Sequence, residues 1–328
     1  DAVGRPIIAQ FGFLGNNHAS CTLRTAVVEL ASASGLERVS PADRNALTAS
    51  TFGTGLLIRA AIDAGADRIV LGLGGSATTD GGTGLARALG FRFLDSTDHA
   101  IPLGGGALAD LAKIDDSEVP DSVKNIPIIL ACDVTNPLTG SEGAAHVFAP
   151  QKGATTTQVE RLDRGLANLA HAIMQYSGRD IEHTPGSGAA GGTGGGMLGL
   201  FNASIRPGIE LVLDLAHGRE ACAWADVVIT GEGSIDSQTP YGKVPSGIAK
   251  LAQSQGKPTI AIGGTVTRDP HTVEALNKAG IIATFGIAPG PADLTTLIAN
   301  TERNVEITCA AIASTLRVAS ATAVTAAT

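Results

Sequence analysis

Short apolar runs alternate with amphipathic stretches along most of this chain, and the rhythm predicts strands and helices in turn. Ile7–Phe13 reads as a short strand running into a turn at Gly15–Asn17. The spacing of Ala26, Val27, Leu30 and Ala31 predicts a helix over Arg24–Ser34, and Thr51–Asp63 repeats that pattern. Arg68–Leu73 is a continuous apolar run, as expected of a strand covered on both faces. Gly81–Leu89 follows as a helix, Phe91–Leu94 as a short strand and Ile126–Cys132 as another buried strand. Thr156–Tyr176 predicts a long amphipathic helix, Gly191–Ser204 a helix starting inside a glycine run, and Ile209–Leu215 a strand. Beyond Trp224 the rhythm tightens. Strands over Val227–Thr230, Pro258–Gly263 and Ile281–Ile287 alternate with helices over Val244–Gln253, Val273–Ala279 and Asp293–Leu316. Such βαβαβα order implies a parallel, doubly wound sheet. A domain change is expected near residues 220–226, which divides the chain into 1–222 and 223–328.

Composition changes this picture in two ways. Only 3% of the residues are aromatic, so the core must be aliphatic, and the 42 glycines imply many turns and close backbone approaches. The net charge of −8, with no basic run, argues against nucleic acid and anionic membranes as partners. Cys21, Cys132, Cys222 and Cys309 form no C-x-x-C pair, so neither a zinc site nor a disulfide framework is expected. No apolar stretch has transmembrane length and no signal peptide is visible, so a cytoplasmic enzyme is expected.

Candidate chemistry gathers in three glycine-rich loops. The first is Gly72-Leu-Gly-Gly-Ser-Ala-Thr-Thr-Asp80-Gly-Gly82, the second Gly186-Ser-Gly-Ala-Ala-Gly191-Gly192-Thr-Gly-Gly-Gly196, and the third Gly231-Glu-Gly-Ser-Ile-Asp236-Ser-Gln238. Bare backbone N–H groups at a helix start make an anion site, and nearby carboxylates suit a metal ion or proton transfer. Asp133 and Asn136 end a buried strand, and Lys152 and Lys243 supply cations. Walker A, H-R-D and G-x-S-x-G motifs are absent, and no two histidines are spaced as metal ligands. The first loop also fits a dinucleotide fingerprint over Gly72–Ala77, with Asp95 where a ribose-binding carboxylate would stand. A nicotinamide-dependent dehydrogenase is therefore one reading, although Ser76, Thr78, Thr79 and Asp80 exceed what a dinucleotide loop needs.

Taken together, the motifs resemble those of the type 1 glycerate kinases of bacteria. The matching segments are Thr51-Phe-Gly-Thr-Gly55, the first loop, Ala131-Cys-Asp-Val-Thr-Asn-Pro-Leu138, Phe148-Ala-Pro-Gln-Lys-Gly-Ala154, Gly188-Ala-Ala-Gly-Gly192 and Ile229–Thr239 with Gly242-Lys243. Two departures stand out. Thr79 occupies a position where the family usually has Asn, and the family's opening segment, with A-P-D-S-F-K-like and D-G-G-E-G-like motifs, does not occur in this sequence. The resemblance implies a flavodoxin-like parallel-sheet domain with a second α/β domain inserted into it. Residues 1–222 would be the insert, and residues 223–328 the C-terminal part of the flavodoxin-like domain.

The implied activity is transfer of a phosphoryl group from ATP to D-glycerate with Mg²⁺, favouring 2-phosphoglycerate and leaving 3-phosphoglycerate open. Asp236, Asp80 and Lys243 would be catalytic, with Asp80 or Asp236 taking the glycerate proton and the other holding Mg²⁺. Gly74, Gly75, Ser76, Thr78, Asp133, Lys152, Gly191, Gly192, Glu232 and Gln238 would bind substrate or phosphate. D-glycerate and ATP are the implied partners, and a homo-oligomer stays open. A third reading is a sugar-acid-binding protein that kept the fold without catalysis.

Overall fold

The computed structural model describes residues 1–15 and 23–326. It consists of two compact units, Asp1–Gly208 and Ile209–Thr328.

In the first unit, β1 (Gly12–Phe13), β2 (Thr25–Glu29) and β3 (Arg68–Gly72) are followed by the antiparallel pair β4 (Arg92–Leu94) and β5 (Lys113–Asp115). Next come β6 (Ile128–Ala131) and β7 (Ala203–Arg206). The main sheet has the order β1-β2-β3-β6-β7 and is parallel except where β1 meets β2. β3 is central, with Val70 opposite Val27 on one side and Ile129 on the other. Its apolar run is buried on both faces, which is why it shows no alternation.

The helix Thr156–Ser177 starts in a capping box between Thr155 and Gln158, and ends at Gly178 with φ 72°. Its buried stripe of Leu162, Leu166, Leu169 and Ile173 belongs to the main core, with Leu85, Leu108 and Leu138. The helix Phe52–Asp63 lies against Thr83–Ala88 at close range, since a Cβ on Gly55 would stand 2.4 Å from the Leu85 carbonyl oxygen.

The second unit contains β8 (Val228–Ile235), β9 (Thr259–Val266) and β10 (Ile281–Gly286), all parallel in the order β10-β9-β8. Helices Val244–Ser254 and Pro270–Lys278 make the crossovers, and Ile235, Ala249, Ala261, Leu276 and Ile281 form a small core. The mixed α/β class with parallel sheets agrees with the sequence pattern.

Several local expectations are corrected. Residues 24–34 open with strand β2, Thr25–Glu29, because Ala26, Val28 and Leu30 repeat at two and are fully buried; only Ala31–Ser34 is helical. Of Ile7–Phe13 only Gly12–Phe13 is strand, and the turn proposed at Gly15–Asn17 falls largely outside the described residues. Residues 191–204 hold a helix over Thr193–Leu200 and then β7. Ile209–Leu215 lies in the helix Gly208–Leu215, whose first N–H is held by the Asp133 carboxylate; an apolar run of that length suits strand or helix equally. The closing helix is two, Leu294–Ala299 and Thr301–Ala326. The helix Gly218–Trp224 belongs to the second unit: Gly218 faces Leu213 and Leu251, and Gly247 faces Ile209.

The tightest approach between loops gives a test. A Cβ on Gly196 would lie 2.0 Å from the Gly81 carbonyl oxygen, backbone that cannot rotate away. Gly196→Ala is expected to lower unfolding stability by about 2 kcal/mol, read as a lower urea midpoint. An unchanged midpoint would show that the helix Thr193–Leu200 has room to shift.

Candidate active site

The carboxyl ends of β3 and β6 open onto a cavity of roughly 460 Å³. Parallel sheets bind ligands at this edge. Gly74, Gly75 and Ser76 line it after β3, Cys132 and Asp133 after β6. Lys152 and Ala190 complete the wall. Gly74 and Gly75 are exposed, and Gly75 takes φ 70°, a conformation that suits glycine. The Gly75 carbonyl accepts from the Leu36 N–H at 2.8 Å, which ties this loop to the segment after β2.

Lys152 is a buried cation on the wall of this cavity. It is only 2% exposed, and its Nζ donates to Ser76 Oγ at 2.8 Å and to the Thr78 carbonyl at 2.6 Å. A one-turn 3₁₀ helix, Pro150–Lys152, places it, and Gly153 ends that turn with φ 92°. Burial lowers its pKa to about 7, with the charge of Asp80 acting against the shift. Asp133 is exposed; its Oδ1 accepts from the Gly208 N–H at 2.7 Å. Asn136 donates to the Glu142 carbonyl, a loop-closing bond. Ala190 holds φ 52° at the cavity wall, a left-handed conformation uncommon for a residue with a side chain.

Asp80 lies behind the loop and does not line the cavity. Its Oδ2 accepts from Thr51 N at 2.8 Å, Thr51 Oγ1 at 2.9 Å and Gly84 N at 3.2 Å, and its Oδ1 from Gly82 N at 3.2 Å. Burial raises its pKa, and the bonds from Thr51, Gly82 and Gly84 oppose that rise. The expectation that Asp80 takes a substrate proton or holds Mg²⁺ meets a carboxylate shut off from solvent. Thr78 and Thr79 are also fully buried, and their hydroxyls have no partner among the described residues.

Gly191 and Gly192, expected to face phosphate, are buried in contact with the first loop. A Cβ on Gly191 would stand 2.0 Å from the Thr78 carbonyl oxygen, and the Gly192 N–H already donates to Gly188. Close backbone packing explains these glycines.

The third loop builds a separate cluster in the second unit. β8 runs through Gly231–Ser234 instead of stopping at Thr230. Lys243, the N-cap of the helix Val244–Ser254, places Nζ 3.1 Å from Asp236 Oδ1 and 3.8 Å from Glu232 Oε1. The buried hydroxyl of Thr239 donates to Glu232 Oε1 at 2.5 Å and accepts from Asp236 N at 3.0 Å. Gln238 contributes its N–H to Asp236 Oδ1 at 2.9 Å and is itself exposed. That amide and then the Lys243 ammonium hold the Asp236 carboxyl below its ordinary pKa. Among the described residues no group of three or more His, Cys, Asp or Glu could hold a metal. Glu232 and Asp236 offer two carboxylates, which suits magnesium arriving with phosphates already bound to it.

Comparison with known proteins places the chain in a family. The sequence model of the Glycerate kinase family matches residues 1–317. The chain belongs to the glycerate kinase family. It is 44% identical over 317 residues to a glycerate kinase of Bacillus subtilis (strain 168), covering 97% of this chain and 81% of that protein. It is 41% identical over 285 residues to a glycerate 2-kinase of Escherichia coli (strain K12), covering 87% and 72%. A crystal structure of "putative glycerate kinase 2" from Salmonella typhimurium LT2 superposes with TM-score 0.78 at 45% identity, covering 89% of this chain and 76% of that one.

The structure also removes the basis of the dehydrogenase reading. In this glycerate kinase family member Asp95 follows β4, which pairs with β5 and not with β3. Its Oδ1 is occupied by Thr97 N, Thr97 Oγ1 and His99 N. The helix after the first loop begins at Thr83, well beyond Ala77, so Gly72–Ala77 does not sit on a helix N-terminus. Two contributors escaped sequence reasoning about the site: Ala190, whose backbone strain has no sequence signal, and Leu36, which reaches the cavity through tertiary pairing. Thr239 could have been found, since it follows Asp236 by three residues in an Asx-type turn. Among the described residues no helix is long and apolar enough to cross a membrane.

Asp80→Asn tests the structural role. Both carboxylate oxygens face N–H donors, so either orientation of an amide sets one NH₂ against a donor. The variant is expected to lose about 2 kcal/mol or more of stability in urea unfolding. Full stability combined with lost turnover would instead make Asp80 part of the chemistry.

Proposed function

We propose that the protein transfers the γ-phosphoryl group of ATP, bound with Mg²⁺, to D-glycerate, giving 2-phosphoglycerate and ADP. One observation carries the reading: a chain matching glycerate kinases over residues 1–317 buries Lys152 beside the exposed backbone of Gly74 and Gly75. Phosphoryl transfer demands positioning and neutralised charge more than covalent help from the protein. The main chain of Gly74 and Gly75, with Ser76, would hold an anionic group, and Lys152 would offset its charge. In the second unit Lys243 would neutralise the transferred group, and Asp236 would orient the attacking hydroxyl and accept its proton as the new P–O bond forms. Glu232 would contribute to holding the magnesium that ATP brings. In the same reading Ile209–Thr328 is the C-terminal part of a flavodoxin-like domain into which Asp1–Gly208 is inserted.

The direct test is ADP release from ATP and D-glycerate by the purified protein, with the product assigned by phosphorus NMR. A sugar-acid-binding protein without catalysis would bind glycerate and release no ADP. Asp236→Asn is expected to cut turnover by at least about a hundredfold, on the usual scale of acid–base contributions. Unchanged turnover would remove Asp236 from the chemistry.

The pH profile tests Lys152. Its charged form predominates below its pKa of about 7 and is lost as pH rises through that value. kcat/KM is therefore expected to fall about tenfold per pH unit on the alkaline side. Lys152→Arg, which keeps its charge, should flatten that limb in whatever activity it retains. A flat wild-type profile across the same range would exclude the requirement.

A further inference from the structure

The second unit has a cavity of roughly 490 Å³ at the carboxyl ends of β8 and β9, with the segment after β10. Part of its wall is bare main chain, Gly231 and Gly233 on β8 and Gly263 and Gly264 on β9. Gly233 has nothing within 4 Å of the place where a Cβ would stand. Glycines on neighbouring strands leave backbone open for a flat ring to lie against. Much of the rest is apolar: Ile262, Ile287, Leu294, Leu297 and Ile298. Leu294 and Ile298 remain 71% and 64% exposed, so nothing in the described chain closes this slot.

One polar side chain stands out in it. Asn304 lines the cavity and is only 6% exposed, yet its carboxamide makes no hydrogen bond to the described residues. Its main-chain N–H is committed to the Asn300 carbonyl. Its side-chain amide atoms are open to the slot, so water or a ligand there can supply their partners. Its donor and acceptor pair matches the N6 and N7 edge of adenine. Glu232 also lines the slot, and it is the residue that accepts from Thr239 and lies 3.8 Å from Lys243 Nζ. The cavity thus passes from an apolar slot with one amide to the cation and carboxylate cluster, the order of groups along a nucleotide. Its size lies within the range of small-molecule sites, about 300–1,000 Å³.

We propose that this slot is the adenine subsite for the phosphoryl donor, with Asn304 reading the edge of the base and the β8 and β9 glycines lying under its ring. The inference rests on the phosphoryl-transfer reading above. It is tested by calorimetric binding of ATP–Mg²⁺, with inorganic tripolyphosphate as a probe that lacks the base. Asn304→Ala is expected to weaken ATP binding about tenfold while tripolyphosphate binding and the KM for glycerate stay unchanged. Gly233→Val, whose Cβ would have no other atom within 4 Å, adds bulk to the slot wall and is expected to shift ATP in the same direction. Unchanged ATP affinity in Gly233→Val and in a folded Asn304→Ala would overturn the proposal. Equal losses for ATP and tripolyphosphate would overturn it as well, since the base would not be what is read. Binding separates this result from catalysis: a protein that binds ATP through the slot and releases no ADP would retain the subsite and lose the reaction.

Discussion

A single carboxylate without access to water, Asp80, sets the geometry of the first unit. An ion in that position is tolerated only when its lone pairs are met by donors. Thr51, at the start of Phe52–Asp63, supplies two, and Gly82 and Gly84, at the start of Thr83–Ala88, supply the others. The positive ends of two helices therefore converge on one negative charge. The Thr51 hydroxyl in turn accepts from Leu85 N at 2.9 Å, which links both helix starts directly. The loop between β3 and the helix is held at its far end, so Ser76 and the Thr78 carbonyl stand where Lys152 can reach them. The ammonium of Lys152 would be expensive to bury alone; those two acceptors and the nearby Asp80 charge offset that cost.

Glycine serves two distinct purposes here. At Gly74 and Gly75 it leaves exposed backbone at the mouth of a cavity. At Gly191, Gly192 and Gly196 it lets one loop and one helix press against Thr78, Gly81 and Leu138 at distances no side chain would allow. Both purposes produce the same string of letters. The second also explains how a cavity wall can include a strained Ala190, because the interlocked backbone on either side fixes its conformation.

The second unit organises its charge differently. Lys243 stands beside both Glu232 and Asp236, and Thr239 joins the two acidic residues by hydrogen bonds. Lys243, Glu232 and Asp236 are partly exposed, where ion pairs contribute little to stability. Four interacting polar groups drawn from one strand, one turn and one helix cap thus add little to the stability of the fold.

Periodicity alone determined the long elements. The helix Thr156–Ser177 shows its buried stripe and cap in the letters, and β3 shows its burial in an unbroken apolar run, because local pattern and tertiary environment agree there. The motif set was legible too, as residue types at fixed spacings. Tertiary structure alone decided that Ala26, Val28 and Leu30 point into a core as a strand, since Val27 and its neighbours pair with β3. It decided that Asp95 belongs to a hairpin, and that Asp80 faces helix starts while Lys152 faces the cavity. Sequence states which groups are present, but whether a carboxylate meets water or four donors depends on which segments fold around it.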